Sequence, residues 1–166
     1  MKAIQYIKHL NLQPHPEGGF YIQSYRSADL LTSDTLPERF KGYRPTSTAI
    51  FYLLERGDFS SFHRIKSDEC WHFYAGSTLY IHIIENDGKY YQVKLGNLPL
   101  QGESFQFVVP AGVWFAAEPA PETEFALTGC TVAPGFDFDD FELGDKTILT
   151  SLFPQHSIII NRLCRK

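Results

Sequence analysis

No stretch of this chain approaches the roughly 18 consecutive apolar residues of a membrane-spanning helix, and no Lys or Arg cluster stands out along it. The first absence argues against a membrane partner. The second, with a net charge of −4, argues against nucleic acid, because binding phosphates requires a basic patch. Cysteine is scarce. Cys70, Cys130 and Cys164 are widely spaced, odd in number and without a CxxC pair, which suits a reducing compartment better than a disulfide framework. The opening MKAIQYIKHL is interrupted by Gln5 and Lys8, so it does not read as a signal-peptide core, and a cytoplasmic protein is expected. Three chemical signatures are missing too: G-x-S-x-G, the P-loop and G-x-G-x-x-G. Glu17-Gly18-Gly19 comes nearest to a Gly-rich loop and reads as a tight turn into the first strand.

What is present is aromatic. Phe, Tyr and Trp make up 15% of the 166 residues, which favours a β-rich fold with a ring-filled interior. The length fits one domain, residues 1–166. AIQYIKHL places Ile4, Ile7 and Leu10 at helical spacing, so a short N-terminal helix is expected. Nine short runs then follow: FYIQSY, TSTAIFYLL, FSSFHRI, ECWHFYA, TLYIHIIE, KYYQVKLG, SFQFVVP, VWFAAEP and EFALTGCTV. Gly, Pro or Asn86-Asp87-Gly88 signals separate them, and the last of these is a strong hairpin turn. Eight or nine strands with no helix-length gap predict an antiparallel sandwich or barrel, with its core over about residues 18–134. Residues 27–45 read as an exposed, lid-like loop. Ile148, Leu149, Leu152 and Phe153 form a helical stripe broken at Pro154, so one or two helices over about 139–166 should cap the barrel.

The chemistry concentrates in GDFSSFHRIKSDECWHFYAG. Gly57, His63, Glu69 and Gly76 stand at the spacing of the first cupin motif, which runs Gly, five residues, His-x-His, three or four residues, Glu, six residues, Gly. Ile65 replaces its second His. Pro110 and Gly112 match the second motif, Pro-x-Gly-x-x-His, and Phe115 replaces its His. With EGGFY, SYRS, FHRIKSDECWHF, VVPAGVWF and PGFDFDDFE, the chain resembles one cupin subfamily, domain of unknown function 985 (cupin 5), from about residue 10 onward. That resemblance implies an all-β double-stranded β-helix (jelly-roll) barrel, usually paired as a homodimer. It implies no particular reaction. Other cupins include deoxysugar epimerases, seed-storage globulins, auxin-binding protein and metal-dependent oxygenases.

Cupin metals sit on about three His and one carboxylate, each giving a lone pair at roughly 2.0–2.2 Å. Ile65 and Phe115 have none to give. His72 is three residues from Glu69, an offset that turns it to the opposite face of a strand, and the facing of His82 cannot be read. No metal and no cofactor are therefore expected, and a metal-dependent dioxygenase ranks last.

His63 and Glu69 should both project inward, among Trp71, Phe73 and Phe115, as an acid/base couple or as a satisfied pair that holds a ligand. Trp71, Phe73 and Phe115 are candidate ligand-binding rings, with core packing the alternative, and Trp114 is weighed with them. From SYRS, Tyr25 is a candidate second proton donor and Arg26 a candidate ligand-binding cation. Only one of the two should reach the cavity. Asp137, Asp139, Asp140 and Glu142 read as a helix cap or solvated face sooner than a cation site. Cys130 reads as a buried, inert thiol. Two functional readings stand. One is a metal-independent isomerase or epimerase, using an inward His as the deoxysugar epimerases do. The other is a cupin that holds a small polar or carbohydrate-like molecule without turning it over.

Overall fold

The computed structural model describes residues 2–165. Helix α1 (Ala3–Leu10) leads into strands β1 (Gln13–Pro14) and β2 (Phe20–Arg26), then a small pair, β3 (Leu30–Leu31) and β4 (Arg44–Pro45). The barrel continues with β5 (Thr48–Glu55), β6 (Ser60–Ile65), β7 (Asp68–Gly76), β8 (Leu79–Ile84) and β9 (Tyr90–Leu95). It ends with β10 (Gln106–Val109), β11 (Trp114–Pro119), β12 (Phe125–Ala133) and β13 (Phe141–Leu143), followed by helices α2 (Lys146–Leu152) and α3 (Ser157–Leu163). The nine aromatic and β-branched runs are strands β2 and β5–β12.

Two antiparallel sheets face each other, ordered β1-β2-β5-β12-β7-β10 and β13-β6-β11-β8-β9. Strands β5, β6, β8, β11 and β12 are largely buried on both faces and read as nearly unbroken apolar runs, whereas β2, β7, β9 and β10 keep a partly exposed face. Tyr52, Leu54, Ile81, Ile83, Phe115 and Ala117 point between the sheets into the main core. Their alternating neighbours Leu53, Ile84, Trp114 and Ala116 fill two outer cores beneath the helices.

The helical cover differs in detail from the sequence reading. On α1 the stripe is Ala3, Ile7 and Leu10, packed over Leu53 and Leu127, while Ile4 is exposed. Asn11 ends the helix in the left-handed region at φ 55°. On α2 only Leu149 is fully buried, and Ile148 and Leu152 are exposed. Asp145, not a member of the acidic cluster, caps α2, accepting from the Ile148 N–H at 2.9 Å. Asp137 caps a short 3₁₀ turn, Phe138–Asp140, and Glu142 lies on β13, which pairs with β6.

Residues 27–45 are not a free lid. Leu36 and Phe40 are buried, and β3 pairs with β4. Arg44, itself buried, makes a two-pronged contact with Asp140 at 2.6 and 2.7 Å and also donates to the Lys41 and Tyr43 carbonyls. No described helix is long and apolar enough to cross a membrane.

Candidate functional site

A cavity of about 270 Å³ lies between the sheets. The six-stranded sheet supplies Gln23, Thr48, Tyr52, Glu69, Trp71 and Cys130, and the other supplies His63, Ile65 and Phe141. His15 and Glu17, from the connection between β1 and β2, complete the polar part.

The imidazole of His63 has a carboxylate partner, but it is Glu17. His63 Nε2 lies 3.3 Å from Glu17 Oε2. His63 Nδ1 bonds the Ser61 carbonyl at 2.8 Å, which assigns the Nδ1 proton. Nε2 and the carboxyl oxygen can then attract each other only through a proton held between them. Ser60 Oγ donates to the other oxygen of Glu17 at 2.8 Å, and His15 Nδ1 stands 3.6 Å from Oε2. Ser60 and His63, three apart, would face opposite ways on a regular strand. A bulge in β6 opposite β11 places both on the cavity side. Burial pushes the His15 pKa down, against the charge of Glu17 and with that of His63.

Glu17 reaches the barrel because its neighbours are glycines. Gly18 has φ +118°, and a Cβ there would sit 2.1 Å from the Phe59 carbonyl; Gly19 has φ +70°, with the Leu53 carbonyl at 2.7 Å. Only glycine lets the backbone lie this close. The Gly19 N–H donates to Asp58 and the Ser61 N–H to the Glu17 carbonyl, both at 2.9 Å. Arg165 closes the same seat, donating to the Glu17 and Phe59 carbonyls at 3.1 and 2.9 Å and pairing with Asp58.

Glu69 faces the cavity from β7. Burial first, and the charge of Glu17 second, push its pKa up to about 8, against a thiol hydrogen bond from Cys130. The upward shift favours the protonated, neutral carboxyl around neutral pH. No ion pair joins it to His63 among the described residues, so the expected His63–Glu69 couple is instead two groups on facing sheets that share one cavity. Cys130 is held as a thiol, its pKa driven well up by burial and by Glu69.

Of the candidate rings, Trp71 lines the cavity. Phe115 is fully buried, its ring centroid 4.0 Å from that of His63, and supports the imidazole without lining the space. Phe73 packs against the main core, and Trp114 lies in the outer core under the C-terminal helices. Tyr25 is exposed and outside the cavity. A bulge between Gln23 and Tyr25 sets Tyr25 opposite Ala49 and Arg26 opposite the cavity-lining Thr48. Arg26 remains exposed and donates to the Phe136 carbonyl at 3.3 Å, so it stands at the rim. Sequence reasoning missed His15, Glu17 and the rings of Phe136, Phe138 and Phe141. The only signal for Glu17 was its place beside two glycines.

His72 faces away from the cavity, bonded to Thr131 and Gln106. His82 lies outside it too, between the Tyr90 hydroxyl at 2.8 Å and Glu118 at 3.0 Å. Among the described residues no three His, Cys, Asp or Glu side chains are grouped to hold a metal ion. Ile65 and Phe115, at two positions where cupins keep ligands, offer hydrocarbon. These donors do not fit a cupin metal centre.

A family model described as Cupin superfamily (DUF985), Cupin_5, matches residues 4–144. The uncharacterised Saccharomyces cerevisiae protein YML079W is 31% identical over 145 residues, covering 82% of this chain and 72% of its own. A hypothetical protein from Leishmania major is 32% identical with a TM-score of 0.91, covering 100% of both chains. Protein SO0799 from Shewanella oneidensis is 39% identical with a TM-score of 0.89, covering 99% of this chain and 98% of its own. Oxalate decarboxylase from Bacillus subtilis, at 16% identity and a TM-score of 0.55 over 92% of this chain and 37% of its own, is a likeness of fold alone.

Proposed function

The chain belongs to the Cupin_5 (DUF985) family of the cupin superfamily, and from that premise we propose that its barrel binds one small polar or carbohydrate-like molecule and isomerises it by metal-independent proton transfer. The supporting observation is the split of acid and base across one cavity. His63 and Glu17 share a proton position on one side, and Glu69, a carboxylic acid with pKa about 8, stands on the facing sheet. A group that accepts a proton and another that can return it, with pKa near the working pH, is what an epimerisation or keto–enol shift requires. The cavity is somewhat smaller than the roughly 300–1,000 Å³ of common ligand pockets, which suits a metabolite of single-ring size.

Screening keto-sugars and nucleotide-sugars in D₂O tests this, because proton transfer at carbon writes deuterium into the product. Turnover should fall about 10²–10⁴-fold in His63→Ala and in Glu69→Gln. Turnover unaffected by both substitutions would remove these residues from the mechanism. A second reading, a binding cupin without turnover, is favoured by one observation: Glu17 is already occupied by Ser60, His63 and His15. Tight binding with no deuterium incorporation across the screen would select it.

A further inference from the structure

One atom of the cavity wall is unaccounted for. Trp71 is fully buried and lines the cavity, and its Nε1–H is the one buried side-chain nitrogen or oxygen among the described residues without a hydrogen-bond partner. A buried donor left unmade costs about 1–3 kcal/mol, and native proteins rarely tolerate it without a reason. The rings beside Trp71, those of Tyr52 and Phe115, carry no acceptor toward it in the hydrogen-bond network. Glu69, two residues earlier on the same face of β7, is the nearest cavity group in sequence, and Gln23 lines the same sheet. None of the lining residues is Lys or Arg. A buried phosphate or carboxylate would therefore stand beside the Glu17 carboxyl with no lysine or arginine to offset its charge.

We propose that the occupant of this cavity is uncharged where it is buried and presents an oxygen acceptor, a carbonyl, lactone or hydroxyl oxygen, to the Trp71 indole N–H. The inference rests on the reading of the barrel as a ligand site and names its ligand class: a neutral, oxygenated ring compound. Any charged substituent stays at the mouth, where Arg26 is exposed. Phe136, Phe138 and Phe141 supply apolar lining for such a ring. The neutral form of Glu69 adds a second donor on the same side as Trp71.

The test uses full-length protein labelled with ¹⁵N-tryptophan. It has two indole N–H signals, from Trp71 and Trp114, which Trp71→Phe assigns. Probes are glucono-1,5-lactone and fructose, against gluconate, glucose 6-phosphate and choline. The expected result is that at least one uncharged probe moves the Trp71 signal and leaves that of Trp114. Trp71→Phe, which keeps an aromatic ring but deletes the donor together with the five-membered ring, should bind that probe at least about three- to tenfold more weakly. The signal shift in the unsubstituted protein stands by itself if the variant folds poorly. Gluconate, glucose 6-phosphate or choline binding in the cavity more tightly than the uncharged probes would overturn the proposal and leave the ligand-site reading intact. An uncharged probe that binds without moving the Trp71 signal would overturn it in the same way. No binding by any probe would remove both.

Discussion

Replacing Glu69 by Gln should make this protein more resistant to alkali. The carboxyl's folded pKa is about 8 against an ordinary 4.5, raised by burial and then by Glu17. A carboxyl whose folded pKa is raised holds its proton more tightly in the folded chain. Stability is therefore undiminished below about 4.5 and is lost as pH rises toward about 8. At 1.36 kcal/mol per pH unit, the whole loss is about 5 kcal/mol, of which about 3 kcal/mol falls between roughly pH 6 and pH 9. That is a large share of the 5–15 kcal/mol typical of a domain. Glutamine keeps the shape and titrates nowhere. Glu17, His15, His63 and Cys130, which share the cavity, and Cys70 beside Glu69 are present in both proteins and largely cancel in the difference. Urea unfolding at several pH values measures it. The midpoint gap between Glu69→Gln and the parent should widen by about 1–2 M over that range. Parallel pH profiles for the two proteins would mean that Glu69 is ionised or solvated in the folded state, and the acid role assigned to it would fall.

Three further outcomes are expected. Asp140→Asn strips the buried Arg44 of its charged partner and should destabilise the fold by about 3–5 kcal/mol, read from the urea midpoint; a loss under about 1 kcal/mol would mean the 27–45 segment is held by something else. Burial alone would raise the Glu118 carboxyl, but hydrogen bonds from His82 and Arg162 outweigh it and take its pKa to about 2. Its contribution is present above about 4.5 and lost as pH falls toward 2, so Glu118→Gln should flatten that part of the acid limb, and an unchanged limb would contradict the assignment. Protein purified without added metal should carry transition metal far below one ion per chain by elemental mass spectrometry. A stoichiometric ion that His63→Ala removes would overturn the reading that the donors of this cavity do not fit a metal.

The strands were legible because the central ones are covered on both faces, and even the half-exposed ones keep runs of rings and branched side chains between clear turn signals. The direction of His72 was legible too, since alternation holds along that part of β7. Alternation failed at two bulges. The extra residue near Ser24 turned Tyr25 outward and Arg26 toward the rim, and the one in β6 gathered Ser60 with His63. A bulge leaves no reliable composition signal, so neither outcome could be read. The partner of His63 was misassigned for another reason. Glu69 is six residues away in sequence and Glu17 is 46, and which one meets the imidazole depends on how the loop before β2 folds back. The lid-like reading of 27–45 failed because its anchor, Asp140, lies 96 residues from Arg44.

The seat of Glu17 has an implication for biosynthesis. Arg165, which grips the carbonyl of Glu17, stands 148 positions later in the chain. A ribosome delivers strands β1 to β12 before it delivers that arginine, so both sheets can form in a nascent chain while the loop that carries Glu17 is still unfastened. The polar end of the cavity would then be fixed only after the sheets that enclose it have closed.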